Sequence, residues 1–299
     1  MKVLRHALLL TAGLGTRLQP LTRVRTKAAV PVAGEPLARR LTRWLVSFGV
    51  TDVVANLHHL PATLTVVLGD GSDLGARVRY SWEQPAVLGS ADGPRHALSI
   101  VGQERFLIVN GDVLSNLDVP ALAAAHEAAG ALVTLALVPN REHLKYGGVV
   151  VARDGSVTGF VRRGPAAAGS FHFIGTQAVE AGVFRPLPDN QPINSIGAVY
   201  DELIASQPGS VRAFISDATY WDIGTVADYW NTSAALSNGS NGPGRSILWD
   251  NVQLGAGCVL DECIVTDDVE VPAGATYRRT ILLKTEFGLT AVPFELTAR

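Results

Sequence analysis

A doubly wound α/β fold with a mostly parallel sheet is what the sequence predicts for residues 1–236, followed by a linker at 237–244 and a short parallel β-helix with a tail over 245–299. Three observations lead there. Short β-rich apolar runs alternate with helix-period segments over the first 140 residues or so, the pattern of βαβ units. Around Asp154-Gly155 and Gly164-Pro165 the alternation gives way to short broken strands, which reads as an antiparallel meander inserted beside the main sheet. Beyond a run of Ser, Asn, Gly and Pro, apolar residues recur every six positions, as in Leu248, Leu254 and Leu260 or Val252, Cys258 and Ile264.

In chain order, residues 3–10 read as a buried strand, 37–48 as a helix, 53–56 as a strand, 62–68 as a helix and 77–82 as a strand. Residues 95–101 continue as a helix, 106–109 as a strand, 119–129 as a helix and 132–138 as a strand. The meander fills 146–176, and helices at 196–206 and 225–236 enclose a strand at 212–215. The turn formers of 237–244 offer a core nothing to bury, so they mark the boundary. Gly255-Ala256-Gly257 is echoed by Pro272-Ala273-Gly274, and the six-residue rows read as the filled interior of the β-helix.

Composition narrows the function. The chain of 299 residues is 47% hydrophobic and carries Lys+Arg 25 against Asp+Glu 27, a net charge of -2, so no global basic field points to nucleic acid or an anionic membrane. Any cations that bind phosphate must be local. The longest apolar runs are too short to cross a bilayer and the N-terminus does not open into a signal sequence, so the expected location is the cytoplasm. Cys258 and Cys263 are too few for a disulfide framework or a cysteine zinc site and read as buried side chains. His58, His59 and the other histidines lack metal-ligand spacing and read as structural or surface residues.

The segment from Leu8 to Arg17 runs a buried strand through Thr11 and Ala12 into a turn with Gly13 and Gly15. Glycines let a backbone approach phosphate with its N–H groups turned inward, and Arg17 adds a fixed charge behind Thr16. A dinucleotide fingerprint would need a glycine where Leu18 stands, and the Gly-Lys-Ser/Thr of a Walker loop is absent. A second strand, 106–109, delivers Asp112 through Asn110-Gly111 at its C-terminal end, where open α/β sheets bind ligands. Asp112 as a turn residue, or Asp222 as the cap of the helix near Thr225, is the plainer alternative.

The stretch from Gly13 to Thr22, with Lys27 and Val30-Pro31-Val32 behind it, resembles the signature of the sugar-nucleotide pyrophosphorylases, the sugar-1-phosphate nucleotidyltransferases. Thr26 stands where that family usually has proline. The resemblance covers roughly residues 3–236. It implies a Rossmann-like nucleotidyltransferase fold and an enzyme that joins the nucleoside monophosphate of an NTP to a sugar 1-phosphate, releasing pyrophosphate. Arg17 and Lys27 would meet the phosphates, with Ala12, Gly13, Gly15 and Thr16 along the nucleotide. Asp112 would act in catalysis and, with Asp222 of Tyr220-Trp221-Asp222-Ile223-Gly224-Thr225, would hold Mg²⁺. The loop from Trp82 to Ala91, with Leu88-Gly89-Ser90-Ala91, resembles the family's base-binding segment, which gives Gly89 and either Glu83 or Gln84 to the base. An ionised carboxylate only accepts, so Glu83 favours a donor-rich edge such as guanine, and GTP over UTP or dTTP, as in a mannose-1-phosphate guanylyltransferase.

Tyr146-Gly147-Gly148-Val149 resembles the strand that lines the sugar, and Arg163 stands where the family has a phosphate-binding lysine. Arg162 stands where the family has a glutamate that accepts sugar hydroxyls, and this departure keeps a second expectation open: a non-catalytic, nucleotide-sugar-binding regulatory subunit of the same fold. No histidine follows His172, so the C-terminal region is expected to serve stability or homo-oligomer assembly without acyl transfer, and its loss to spare nucleotidyl transfer.

Overall fold

The structure, a computed structural model, describes residues 4–237 and 242–296. Residues 238–241 of the expected 237–244 linker lie outside the described residues. The chain opens with β1 (His6–Leu10), α1 (Leu37–Ser47), β2 (Asp52–Leu57), α2 (Pro61–Leu68), β3 (Arg77–Trp82), α3 (Gly89–Val101) and β4 (Arg105–Asn110). After these come β5 (Val113–Ser115), α4 (Val119–Ala129), β6 (Val133–Pro139), β7 (Gly148–Val151), β8 (Val157–Val161) and β9 (Phe171–Glu180). The remainder of this part is α5 (Tyr200–Ser206), β10 (Val211–Ile215), β11 (Tyr220–Asp222) and α6 (Val226–Leu236).

The central sheet runs β3–β2–β1–β4–β9–β6–β10. Neighbours are parallel from β3 to β4 and again between β6 and β10, while β9 is antiparallel to both its flanks. The hairpin of β7 and β8 joins at the start of β9, where Phe171 pairs with Val149, so the meander is an outgrowth of one long strand. Both sheet faces are covered. Ala7 and Leu9 of β1 enter a core with Leu41 of α1, Leu64 of α2, Leu122 of α4 and Tyr229 of α6, whereas Leu8 enters a second core with Ala97 of α3 and Tyr200 of α5. Residues buried on alternate sides explain why these strands read as unbroken apolar runs.

Two helices start elsewhere than the sequence suggests. α3 begins at Gly89, not at 95, because Ala91 N–H finds its acceptor in the Ile193 carbonyl, a tertiary partner invisible to local pattern, and Pro94 falls early enough to be tolerated. α5 begins at Tyr200, not at 196, because Ile196 is extended and Gly197 has φ 89°.

The C-terminal part has β12 (Ile247–Leu248), β13 (Gln253–Leu254), β14 (Val259–Asp261), β15 (Ile264–Val265), β16 (Glu270–Val271), β17 (Thr276–Arg278), β18 (Thr280–Thr285) and β19 (Gly288–Pro293). Strands β12, β15 and β18 form one parallel ladder, with β13–β16 and β14–β17 as two more, and β19 closes β18 as an antiparallel hairpin. Leu260, Cys263, Val265, Val269, Val271 and Leu282 make a core of their own. The expected interior rows are only partly inside: Leu254 is 39% exposed, because it sits on the two-stranded ladder at an uncovered end. Ile264 turns the other way. With Ile247, Trp249, Ile281 and Leu283 it joins the core of the main sheet, so the tail is packed onto the body.

Candidate functional site

The chain leaves β1 to build β2 and β3 on one side, then returns to place β4 on the other. This reversal leaves a crevice beyond the carboxyl ends of β1 and β4, where Leu10 and Asn110 are in register. A cavity of about 240 Å³ opens there, lined by Ala12, Gly13, Lys27, Gly89, Gly111 and Asp112 among others. Five of the residues expected at a nucleotide or its metal (Ala12, Gly13, Lys27, Gly89 and Asp112) therefore line one cavity.

The turn after β1 is held from beneath by Asn56 at the end of β2. Its side-chain oxygen accepts from the backbone N–H groups of Thr11 and Ala12, and its backbone carbonyl accepts from the Thr11 hydroxyl. Gly15 is left-handed at φ 60°, and a Cβ there would lie 2.7 Å from Thr22 Cγ2 and 3.3 Å from Lys27 Cβ, so only glycine lets the turn close onto the residues that carry Lys27. Gly13 differs: a Cβ would meet nothing within 4 Å. Protein packing does not require glycine there, and Gly13 lines the cavity.

Lys27 Nζ donates to Asp112 Oδ2 across 2.7 Å. The Asp112 backbone carbonyl accepts from Ile223 N–H at 2.9 Å, and the β5–β11 ladder pairs Val113 with Asp222, which brings the second aspartate alongside. Burial first, and the charge of Asp112 second, push the Asp222 carboxyl above the usual carboxylate range, with Lys27 pulling it back. Asp222 is free for this role because α6 is capped by Thr225, whose hydroxyl accepts from Asp228 N–H while the Asp228 carboxylate accepts from Thr225 N–H.

Two neighbouring carboxylates, with the charge of Asp112 making Asp222 costlier to ionise, suit a divalent cation. Among the described residues no group of three or more His, Cys, Asp or Glu is assembled, so the protein supplies no closed cage. That donor set fits Mg²⁺, a hard ion that keeps waters and takes oxygens from substrate phosphates.

Other expected residues lie apart from this wall. Arg17 and Thr16 are exposed on the turn, outside the lining of the cavity. Glu83 is not presented to a base: it is fully buried, its carboxylate accepting from Asn56 Nδ2 at 2.6 Å and from Leu88 N–H at 2.7 Å, and burial raises its pKa against those two bonds. A Cβ on Gly93 would come within 2.7 Å of the same carboxylate. Glu83 thus braces Asn56 and the loop to Leu88. Gly89 lines the cavity, yet its φ of 84° and the Ile193 carbonyl 2.7 Å from a would-be Cβ give it a packing reason too.

On the meander side, Gly148 is buried and a Cβ there would fall 1.9 Å from Ser170 Oγ, so its glycine serves strand packing; Gly147 and Arg163 are exposed. Sequence reasoning missed what lies beside them. His172 stacks on Tyr146 at 4.1 Å and approaches Tyr220 at 5.0 Å, and burial lowers its pKa to about 4 against a bond to the Gly147 backbone. Burial, then the Asp222 charge, pushes the Tyr146 hydroxyl far up. Lys145 donates to Asp228 at 2.8 Å over the Tyr146 ring. Lys145, Tyr146, Tyr220, Asp228 and Asp222 line a second hollow of about 940 Å³. No spacing in the sequence relates residue 172 to 146 and 220; only the order of β9 against the meander does.

No helix of the described residues is long and apolar enough to cross a membrane. The family model described as nucleotidyl transferase matches residues 6–239. A mannose-1-phosphate guanylyltransferase of Mycobacterium tuberculosis is 27% identical over 299 aligned residues, which cover 91% of this chain and 83% of that protein. A UTP–glucose-1-phosphate uridylyltransferase of Synechocystis is 28% identical, covering 75% of this chain and 61% of that one. Among solved structures, HddC from Yersinia pseudotuberculosis complexed with GMP-PN superimposes with a TM-score of 0.67 over 77% of this chain and 99% of that one, at 20% identity, a likeness of fold.

Proposed function

Because the chain belongs to the nucleotidyl transferase family, we propose that it joins the nucleoside monophosphate of an NTP to a sugar 1-phosphate and releases pyrophosphate, giving an NDP-sugar. The observation that carries this reading is the Lys27–Asp112 pair on the cavity wall at the sheet's reversal point, with Asp222 beside it. GTP is the first nucleotide to try and mannose 1-phosphate the first acceptor, in line with the mannose-1-phosphate guanylyltransferase that aligns over 91% of this chain. The support for guanine no longer includes Glu83, which is buried.

In the reaction, a phosphate oxygen of the sugar 1-phosphate attacks the α-phosphorus in line, a new P–O bond forms, and the bond to the β-phosphate breaks with its electrons leaving on pyrophosphate. The turn of Ala12 and Gly13 lies against the triphosphate, with Gly13 giving room for close approach. Lys27 swings between Asp112 and the phosphates as charge develops, and Arg17 closes over them from the exposed turn. Mg²⁺ held by Asp112 and Asp222 would supply the remaining neutralisation of phosphate charge. Gly147 and Arg163 receive the sugar phosphate, with Tyr146, His172 and Tyr220 as an apolar wall beside it. The parallel pairs at a spacing of 17 residues support reading the tail as a short β-helix.

The test is a pyrophosphate-release screen of the four NTPs and dTTP against a panel of sugar 1-phosphates with Mg²⁺ present. Turnover for at least one pair is expected. Tight nucleotide binding with no release by any pair would make the chain a binding subunit.

A further inference from the structure

Two residues before Lys27, the buried side chain of Arg25 leaves the turn and enters the tail. Its Nε and one Nη donate to the two oxygens of Asp267, each at 2.6 Å, a bidentate fork, and the same Nη reaches Asp250 Oδ2 at 2.5 Å. The guanidinium carbon lies 5.5 Å from the centre of the Trp249 ring. The indole N–H of Trp249 donates to the Tyr229 hydroxyl at 2.9 Å, and that hydroxyl donates to the Pro31 carbonyl at 2.7 Å. The other Nη of Arg25 turns back to the Ala29 carbonyl at 3.4 Å.

The turn around Lys27 is therefore pinned from several directions. Arg25 spans it from residue 25 to 29 and ties it to the tail, while Thr26 N–H donates to Thr63 Oγ1 of α2 at 3.0 Å. An exposed ion pair would contribute little, but the Arg25 side chain is 10% exposed and that of Asp267 17%, so the fork is shielded and directional. We infer that Arg25 is a positioning residue, through which Asp250 and Asp267 of the tail set the placement of Lys27 against Asp112. The inference rests on the reading of Lys27 as a phosphate-binding residue. It changes the expectation for the tail, whose loss would then cost transfer as well as stability.

The experiment uses the full chain with Asp267→Asn, Arg25→Ala and Arg25→Lys, following kcat and KM for the NTP together with amide hydrogen exchange over residues 21–30. Displacement of a reacting group by about an ångström costs up to ~100-fold. Asp267→Asn is expected to lower kcat about 10-fold with KM within about twofold, and to speed exchange in 21–30 but not in β1. Arg25→Lys should recover part of the kcat that Arg25→Ala loses, since it keeps the charge without the fork. Should Arg25→Ala fail to fold, Asp250→Asn replaces it: that carboxylate is 72% exposed, and a roughly threefold loss of kcat is expected. Folded variants with wild-type kcat and wild-type exchange over 21–30 would overturn the proposal. A wild-type protein that releases no pyrophosphate would sink the functional reading instead, and the exchange rates would still decide the clamp.

Discussion

The side-chain amide of Asn56 donates to Oε1 of Glu83 across 2.6 Å, while its oxygen holds the backbone of Thr11 and Ala12. That bond couples the turn at the end of β1 to the loop after β3. A carboxylate is needed because both its oxygens face donors. Glu83→Gln sets an N–H group against one of them and should lower unfolding free energy by about 1–3 kcal/mol in urea titrations. Preference among the NTPs should stay as in the wild type; a changed preference at unchanged stability would return Glu83 to the base.

Asp112→Asn and Asp222→Asn should each lower kcat by about 100-fold or more, the scale of losing a strong electrostatic contact in the transition state. Steady-state rates across a Mg²⁺ titration check this. A variant that regains wild-type turnover at high Mg²⁺ would show that its aspartate sets metal affinity alone.

Lys27 and Arg17 should separate. Lys27 is on the cavity wall, so Lys27→Ala is expected to lose about 100-fold in kcat, while the exposed Arg17 should lose about 10-fold on change to Ala, again in kcat rather than KM. If Arg17→Ala raises only KM for the NTP, Arg17 belongs to ground-state binding.

His172 predicts part of the acid sensitivity. Its pKa is lowered to about 4 in the folded protein by burial, so the unfolded chain takes up this proton first as pH falls below about 6.5, and stability is lost from there down to about 4. Between pH 7 and 5 the effect amounts to about 2 kcal/mol. His172→Gln should lack that portion of the decline. Parallel stability curves for the two proteins between pH 7 and 5 would rule the assignment out.

Much of this was legible in the chain. Strands buried on both faces announce themselves as apolar runs, and the switch of periodicity at the meander and the tail marks real changes of architecture. Gly13 and Asp112 were readable because each follows a strand of the sheet's centre, and Lys27 through the resemblance carried by the stretch from Gly13 to Val32. Asn56 was not, since its partners at 11, 12 and 83 are chosen by strand order rather than by spacing. The start of α3 at Gly89 depends on the loop around Ile193, about 100 residues further on, and Gly148 owes its identity to Ser170. The role of Arg25 needed the tail's register, in which Asp250 N–H donates to Asp267, 17 positions on.

The Arg25–Asp267 fork also orders events in time. Its two partners are separated by 242 positions along the chain. At about 5–20 residues per second, a ribosome that has made Arg25 needs roughly 12 to 50 s to reach Asp267. Late in that interval, once β10 has been made, the nascent polypeptide holds a finished set of sheet strands whose Lys27 turn still lacks its distal anchor. A message cut short after codon 222 but before codon 250 would thus yield a chain with every residue of the phosphate wall and none of the charged bracing behind it, so quality control late in translation bears on catalytic competence and not merely on solubility.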